Sequence, residues 1–233
     1  KRIDIAETFS SDLAHEIRNP LTSLKSASEV LENTQDTEKR KKLIKVINHD
    51  VERIERLITD YSQMLKDEAS LSRAKMTKID LSNVVDSVVE DFNSNLFNSN
   101  KNIKININNS NLNGSKLNVL GVESKLEQIV ANLLDNAVSF SPSNSKISVI
   151  CDIKKGDAQL VIEDEGPGFN EKNIDKVFNR FYSNRPEKFG EHSGLGLNIV
   201  KNIIELHGGS ITASNPRGNK KGARIEVLLP IYK

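Results

Sequence analysis

Four neighbouring residues, His15, Glu16, Asn19 and Pro20, lie within a long predicted helix. At about 100° per residue, His15 falls nearly opposite the apolar residues of that helix, which predicts an exposed imidazole. A neutral imidazole nitrogen is a nucleophile, and the adjacent Glu16 can orient the ring or accept its proton. Asn19 follows one turn later on the same face, where its amide can position a water molecule. Pro20 removes the hydrogen bond to the Glu16 carbonyl and predicts a kink beside His15.

A second group of residues has the spacing of a ligand-binding surface. Asn132 and Asn136 are four residues apart on a predicted helix, so both amides share one face and can reach the same ligand. Asp164 follows a predicted strand and is succeeded by Gly166 and Gly168. Glycines at these positions let the backbone turn sharply and approach a ligand closely.

A third group begins another helix. Residues 193–197 read Ser-Gly-Leu-Gly-Leu, and glycines at a helix start expose backbone N–H groups together with the positive end of the helix dipole. Such a helix start binds phosphate readily. The charged, Gly- and Pro-containing stretch between Phe181 and Ser193 is interpreted as a mobile lid, and the nearby Arg180 can reach phosphates.

The His15 helix is half of a predicted hairpin. Apolar residues recur at spacings of three, four or seven in two segments separated by polar residues 33–36. In the first segment they are Ile5, Phe9, Leu13, Ile17, Leu21, Leu24 and Leu31, and in the second Leu43, Ile47, Val51, Ile54, Ile58, Tyr61 and Leu65. Because two helices cover only part of each other's apolar face, a homodimeric four-helix bundle is expected for a domain spanning residues 1–69.

After a small, polar linker at residues 70–78, strands and helices alternate in a predicted second domain at 79–233. Helices are predicted at about 82–96, 124–140 and 195–206, and strands at 103–107, 117–120, 146–153, 158–163, 210–214 and 223–229. The fold class is therefore α + α/β, a helical hairpin followed by a two-layer α/β sandwich.

Composition narrows the possible functions. The 233 residues carry 33 basic and 32 acidic side chains, a net charge of +1, so the composition does not favour nucleic-acid binding. Cys151 lies in a predicted strand and is expected to be buried and inert. No apolar stretch is long enough to span a membrane, which predicts a cytoplasmic location for the chain as given.

Residues 9–22 resemble the H-box of sensor histidine kinases. Four later segments resemble the ATP-binding half of the same kinases, and they occur in the expected order. That half has a fold shared with Hsp90, MutL and gyrase-type ATPases. The resemblance implies that His15 is phosphorylated, that Glu16 assists proton transfer, and that Asn19 supports phosphatase action on a response regulator. It also implies that Asn136 binds Mg²⁺ and that Asp164 recognises adenine. The implied ATP-binding residues are Asn132, Asn136, Asp164, Gly166, Gly168, Phe169, Arg180, Ser193, Gly194, Leu195, Gly196 and Leu197.

The implied partners are a response-regulator receiver domain and a second copy of the chain. The implied parent protein is anchored in a bacterial inner membrane by segments ahead of Lys1. Two positions depart from the family pattern. His192 replaces the first glycine of the glycine-rich segment, and Ser139 stands where many members have a basic residue that contacts phosphate. That contact comes from Arg180 or Arg185, or is absent.

Two other functions share some of these residues. An ATPase of the Hsp90 or MutL type has a glutamate four residues before the metal-binding asparagine, whereas this chain has Asn132, and an amide is a poor general base. A non-catalytic dimeric scaffold that binds a response regulator would not need the combination of His15, Glu16, Asn136, Asp164 and the glycines. Both alternatives are less consistent with the sequence than a kinase.

Overall fold

A computed structural model describes residues 2–71, 74–97, 101–109, 112, 116–170, 173–182, 194–216, 218 and 221–232. The side chains of residues 2–12, 60, 64, 67–71 and 97 lie outside this description. The chain divides into two compact units, residues 1–68 with 181–195, and residues 69–180 with 196–233.

The elements follow one another in a simple order. They are α1 (Arg2–Asn33), α2 (Thr37–Leu71), β1 (Thr77–Asp80), α3 (Leu81–Phe97), β2 (Lys104–Asn108), β3 (Asn118–Gly121), α4 (Glu123–Phe140), β4 (Lys146–Lys154), β5 (Asp157–Glu163), a 3-10 helix (Ile174–Phe178), α5 (Gly196–Leu206), β6 (Ser210–Ser214) and β7 (Arg224–Pro230). Strand β1 and the 3-10 helix were not predicted, because each is too short to establish a periodic apolar pattern.

A short, well-bonded turn joins α1 to α2. The Asp36 carboxylate accepts a hydrogen bond from the Glu38 N–H (2.9 Å), which satisfies one of the donors at the start of α2. The Arg40 guanidinium donates to the Leu31 carbonyl (2.9 Å) near the end of α1. Both helix ends are therefore satisfied locally, and the chain reverses within a few residues.

The apolar residues of the hairpin fall on two faces. Pro20, Ala27 and Leu57 are buried within a single chain. Leu21 and Ile58, which belong to the same predicted stripes, are 52% and 48% exposed. The hairpin thus packs one face internally and leaves a second apolar face uncovered.

The second unit contains a five-stranded mixed sheet in the order β2-β4-β5-β7-β6. Strands β2 and β4 are parallel and the remaining pairs are antiparallel. Strands β1 and β3 form a separate antiparallel pair. The core consists of apolar side chains from the sheet and from α3, α4 and α5, so the predicted two-layer sandwich is confirmed.

Cys151 lies in this core and is fully buried. Burial, assisted by the charges of Asp86 and Asp80, raises the pKa of its thiol to about 12. The thiol is therefore protonated and unreactive near neutral pH. In the described part of the chain, no helix has the length and apolar character of a membrane span.

Candidate functional site

His15 and Asn19 lie on α1 with exposed side chains, as the helical angle predicts for His15. Glu16 forms an ion pair with Arg53 of α2, with 3.4 Å between carboxylate oxygen and guanidinium nitrogen. Their side chains are only 28% and 17% exposed, respectively. Arg53 therefore holds the acid beside His15, and sequence reasoning missed it because the pairing depends on the register of two helices.

The two asparagines of α4 lie on one face, as predicted. The Asn136 side-chain nitrogen donates to the Asn132 carbonyl (3.0 Å), which fixes the amide plane. A Cβ added at Gly196 would lie 3.7 Å from the same nitrogen, so α4 packs close to the start of α5 at this point. The amide oxygen of Asn136 is a hard ligand that suits Mg²⁺, which takes few protein ligands and keeps waters and substrate phosphates. The described residues include no group of three or more His, Cys, Asp or Glu placed to hold a metal.

Asp164 follows β5 and is held by backbone groups. Its Oδ1 accepts hydrogen bonds from the N–H groups of Gly166 (2.8 Å) and Ala223 (3.0 Å). Burial raises the pKa of this carboxyl, and the two hydrogen bonds oppose the rise. Both of these hydrogen bonds end on Oδ1, so neither of them occupies Oδ2.

Close backbone approaches fix the loop after Asp164. A Cβ at Gly166 would lie 2.9 Å from the Phe140 carbonyl oxygen at the end of α4. Gly168 has a φ of +76°, and a Cβ there would lie 2.5 Å from the carbonyl oxygen of Gly222. Larger residues at either position would displace the loop, so the glycines are required for its geometry.

Asn215, which follows β6, holds the same loop from the other side. Its side chain accepts from the Phe169 N–H (2.7 Å) and donates to the Phe169 carbonyl (2.9 Å). Asn215 was not predicted as a site residue, because a single asparagine after a strand does not indicate the loop to which it will hydrogen-bond.

The segment before the predicted lid begins with the 3-10 helix. Arg180 follows this helix, and its side chain is half-buried. Phe181 has a φ of +58°. A Cβ at Gly194 would lie 2.7 Å from the carbonyl carbon of Phe181, so the two described flanks of the predicted lid adjoin. The lid itself lies outside the described residues, as do Arg185, His192 and Ser193.

Helix α5 begins at Gly196, directly after the buried Leu195. Its first turn, with Gly196 and Leu197, lies beside Asn136. The structure therefore brings together the metal-ligand candidate and the predicted phosphate-binding helix start. The loop after Asp164 contacts Phe140, one turn beyond Asn136 on α4, so this loop adjoins the same helix.

Two sequence families match the chain. Residues 6–70 match the family described as His Kinase A (phospho-acceptor) domain, and residues 121–233 match the family described as Histidine kinase-, DNA gyrase B-, and HSP90-like ATPase. His15 falls in the first region, and Asn132, Asn136 and Asp164 fall in the second.

Individual proteins match across both regions. Sensor protein ChvG of Rhizobium meliloti and of Agrobacterium fabrum are each 39% identical over 237 residues, which is 98% of this chain and 41% and 40% of the relatives. A solved structure of the mycobacterial sensor histidine kinase MprB is 30% identical, with a TM-score of 0.56, and the match covers 67% of this chain and 97% of that one.

This chain belongs to the sensor histidine kinases. It spans about two fifths of the length of the ChvG proteins. The fold agrees with that of the histidine kinase ThkA in complex with the response regulator TrrA, which has a TM-score of 0.68 and 24% identity, covering 99% of this chain and 63% of that one.

The predicted family of this histidine kinase is confirmed, together with its helical hairpin and its ATP-binding type of sandwich. The roles of the individual site residues stay predictions. Arg53, Asn215 and Gly222 are additions from the tertiary structure, and each acts on a residue that the sequence had already indicated.

Proposed function

We propose that this chain transfers the γ-phosphoryl group of ATP to His15 and then to an aspartate of a response regulator. The observation that carries the proposal is an exposed imidazole beside an ion-paired carboxylate, in the region that matches the phospho-acceptor family. The same chain matches an ATPase family, and in that region both the start of α5 and the loop after Asp164 adjoin α4, which carries Asn136.

In the first step, one ring nitrogen of His15 attacks the γ-phosphorus, a P–N bond forms, and the bond to the bridging oxygen breaks as ADP leaves. Glu16 takes the proton from the other ring nitrogen, and Arg53 keeps the carboxylate in place. In the second step, the carboxylate of the regulator attacks phosphorus, the P–N bond breaks, and the leaving imidazole takes its proton back from Glu16. Positioning and charge neutralisation supply most of the acceleration in such transfers.

The proposed nucleotide-binding roles follow from the chemistry of these residues. The Oδ2 of Asp164 accepts a hydrogen bond from the adenine amino group, and the N–H groups at the start of α5 bind the phosphates. Asn136 offers its amide oxygen to Mg²⁺, which neutralises phosphate charge when it is bound. Asn132 fixes the Asn136 amide through its carbonyl.

The proposed partners are a receiver domain and a second copy of this chain. The complex of ThkA with the response regulator TrrA supports the first partner by analogy. The uncovered apolar face of the hairpin supports the second, because such a face is stabilised by pairing with another hairpin.

A reverse activity is proposed for Asn19. Its exposed amide lies one turn from His15, where it can orient a water molecule toward the phosphorylated aspartate of a docked regulator. The phosphatase reaction would then use the same surface as the phosphotransfer.

Two substitutions separate phosphorylation from nucleotide binding. His15→Gln should abolish transfer of ³²P from ATP to the protein, because it removes the nucleophile, while Mg-ATP affinity measured by calorimetry stays within about twofold. Acid-stable label, or label that persists in His15→Gln, would rule out phosphorylation of this histidine.

Asn136→Ala should reduce both label incorporation and Mg-ATP affinity, the latter by about tenfold or more.

A further inference from the structure

A buried asparagine links the first turn of α5 to the segment before the lid. Asn198 is 9% exposed and lies two residues after Gly196. Its side-chain nitrogen donates to the Phe178 carbonyl oxygen (2.9 Å). Its side-chain oxygen accepts from Asn202, one turn along α5 (3.3 Å). The amide is therefore bonded on both sides and has a fixed orientation.

The acceptor of this bond is the last residue of the 3-10 helix. Carbonyl groups at the end of a helix lack partners within the helix, and the buried Phe178 carbonyl obtains one from Asn198. Asn179 then turns to an extended conformation, with φ −71° and ψ 151°, and Arg180 follows. Asn198 thus fixes the point at which the backbone leaves toward Arg180.

The helix turn that carries Asn198 is also the turn proposed to bind phosphate. Movement of this turn relative to the 3-10 helix would break the bond to Phe178, so the amide keeps the two elements in register. An alanine at position 198 would keep the helix but leave the buried Phe178 carbonyl without a donor. The side chain therefore does more than fill space in the core.

We propose that Asn198 is a positioning residue that holds the Phe178 carbonyl against α5 so that Arg180 is directed at the terminal phosphate of a nucleotide bound at the start of that helix. The inference rests on the proposed function, since it assumes that nucleotide binds at α5. It assigns discrimination between ATP and ADP to the asparagine, because ADP lacks the phosphate that Arg180 would contact.

The first test compares two ligands by calorimetry with Mg²⁺, a non-hydrolysable ATP analogue and ADP. Asn198→Ala should weaken binding of the analogue by about tenfold and that of ADP by no more than about twofold, since one charge-assisted contact is lost. Asn198→Asp keeps the shape but loses the donor, and it should give the same selective loss. Asn179→Ala is the matched control, because it truncates an exposed asparagine beside Phe178 and should leave the ratio of the two affinities unchanged.

The second test is a double-mutant cycle with Arg180→Gln. If Asn198 acts through Arg180, the single Arg180 variant also loses affinity selectively for the analogue, and adding Asn198→Ala causes little further loss. Equal losses for both ligands, additive losses in the double variant, or an unchanged ratio in Arg180→Gln would each overturn the inference while leaving the proposed function intact. Absence of analogue and ADP binding in the unsubstituted chain would overturn the proposed function itself, and the inference with it.

Discussion

At the level of single residues, burial and hydrogen bonding have opposite effects on the ionised carboxylate of Asp164. The backbone bonds of Gly166 and Ala223 satisfy Oδ1, while burial makes the ionised form costly. Because the pKa of Asp164 is raised in the folded chain, the ionised group reduces stability at pH values above its ordinary pKa. That cost is full above the raised pKa, and it disappears as the pH falls from the raised value to the ordinary one. The proposed recognition group is therefore retained at some expense to stability.

Asp164→Asn tests whether the charge of this carboxylate reduces stability. The asparagine oxygen can still accept the two backbone bonds, and the desolvation cost of a charge is removed, so at neutral pH the melting temperature should be equal to or higher than that of the unsubstituted chain. Nucleotide affinity should nevertheless fall by about tenfold or more, because an NH₂ group replaces the proposed acceptor for adenine. The difference in stability between the two proteins should shrink as the pH is lowered. A fall in melting temperature with unchanged affinity would contradict the assignment.

Asn19 can be tested apart from His15. Asn19→Ala removes the exposed amide and should slow dephosphorylation of a phosphorylated response regulator by at least about tenfold, with autophosphorylation changed by less than about twofold. The two rates are measured with labelled regulator and labelled ATP. Thr22→Ala, an exposed change one turn beyond on α1, is the control. Equal losses in both reactions would indicate that Asn19 supports the helix rather than a water molecule.

At the scale of an element, the end of α4 depends on a lysine from outside the helix. The Lys101 ammonium donates to the carbonyls of Val138 (3.0 Å), Ser139 (3.3 Å) and Ser141 (3.4 Å). These groups carry the negative end of the helix dipole and have few partners within the helix. Lys101 therefore stabilises the end of the helix that also carries Asn136 and contacts the Asp164 loop.

Lys101→Met keeps most of the aliphatic stem and removes the ammonium. It should lower the free energy of unfolding by about 1–3 kcal/mol, because several carbonyls lose a charged donor. Thermal unfolding followed by circular dichroism measures the loss. Lys104→Met, at an exposed position on β2, is the matched control and should change stability by less than about 0.5 kcal/mol. Equal stability of the two variants would contradict a capping role.

At the scale of the whole molecule, α2 carries an apolar stripe that a single chain leaves exposed. Ile44, Val51, Ile58 and Leu65 follow one another at intervals of seven residues and are 45%, 41%, 48% and 44% exposed. A seven-residue interval keeps the side chains on one seam of a helical bundle. The stripe is therefore suited to the same face of a second hairpin.

Ile58→Glu should disrupt that pairing, because two-fold symmetry brings two carboxylates into an apolar interface. Sedimentation equilibrium should give twice the chain mass of 26.0 kDa for the unsubstituted protein and the single mass for the variant. Lys42→Glu, at an exposed position on another face of α2, should remain dimeric. A dimeric Ile58→Glu variant would show that this stripe is not the interface.

Features that depend on local spacing could be predicted from the sequence. The exposure of His15 follows from the angle of one helix, the shared face of Asn132 and Asn136 from a spacing of four, and the order of strands and helices from alternation. The start of α5 was expected from its glycines. These properties depend on neighbours within a few residues, so the chain reveals them without a fold.

Contacts between the site and residues distant in the sequence could not be predicted and are seen only in the folded chain. Arg53 meets Glu16 across 37 positions, Asn215 meets Phe169 across 46, and Asn198 meets Phe178 across 20. Such contacts have no periodicity, because they depend on helix register and on the way that loops cross. The tertiary structure also divided each apolar stripe of the hairpin into a packed face and an uncovered one. The reason is that periodicity identifies an apolar side chain but does not identify the surface that covers it.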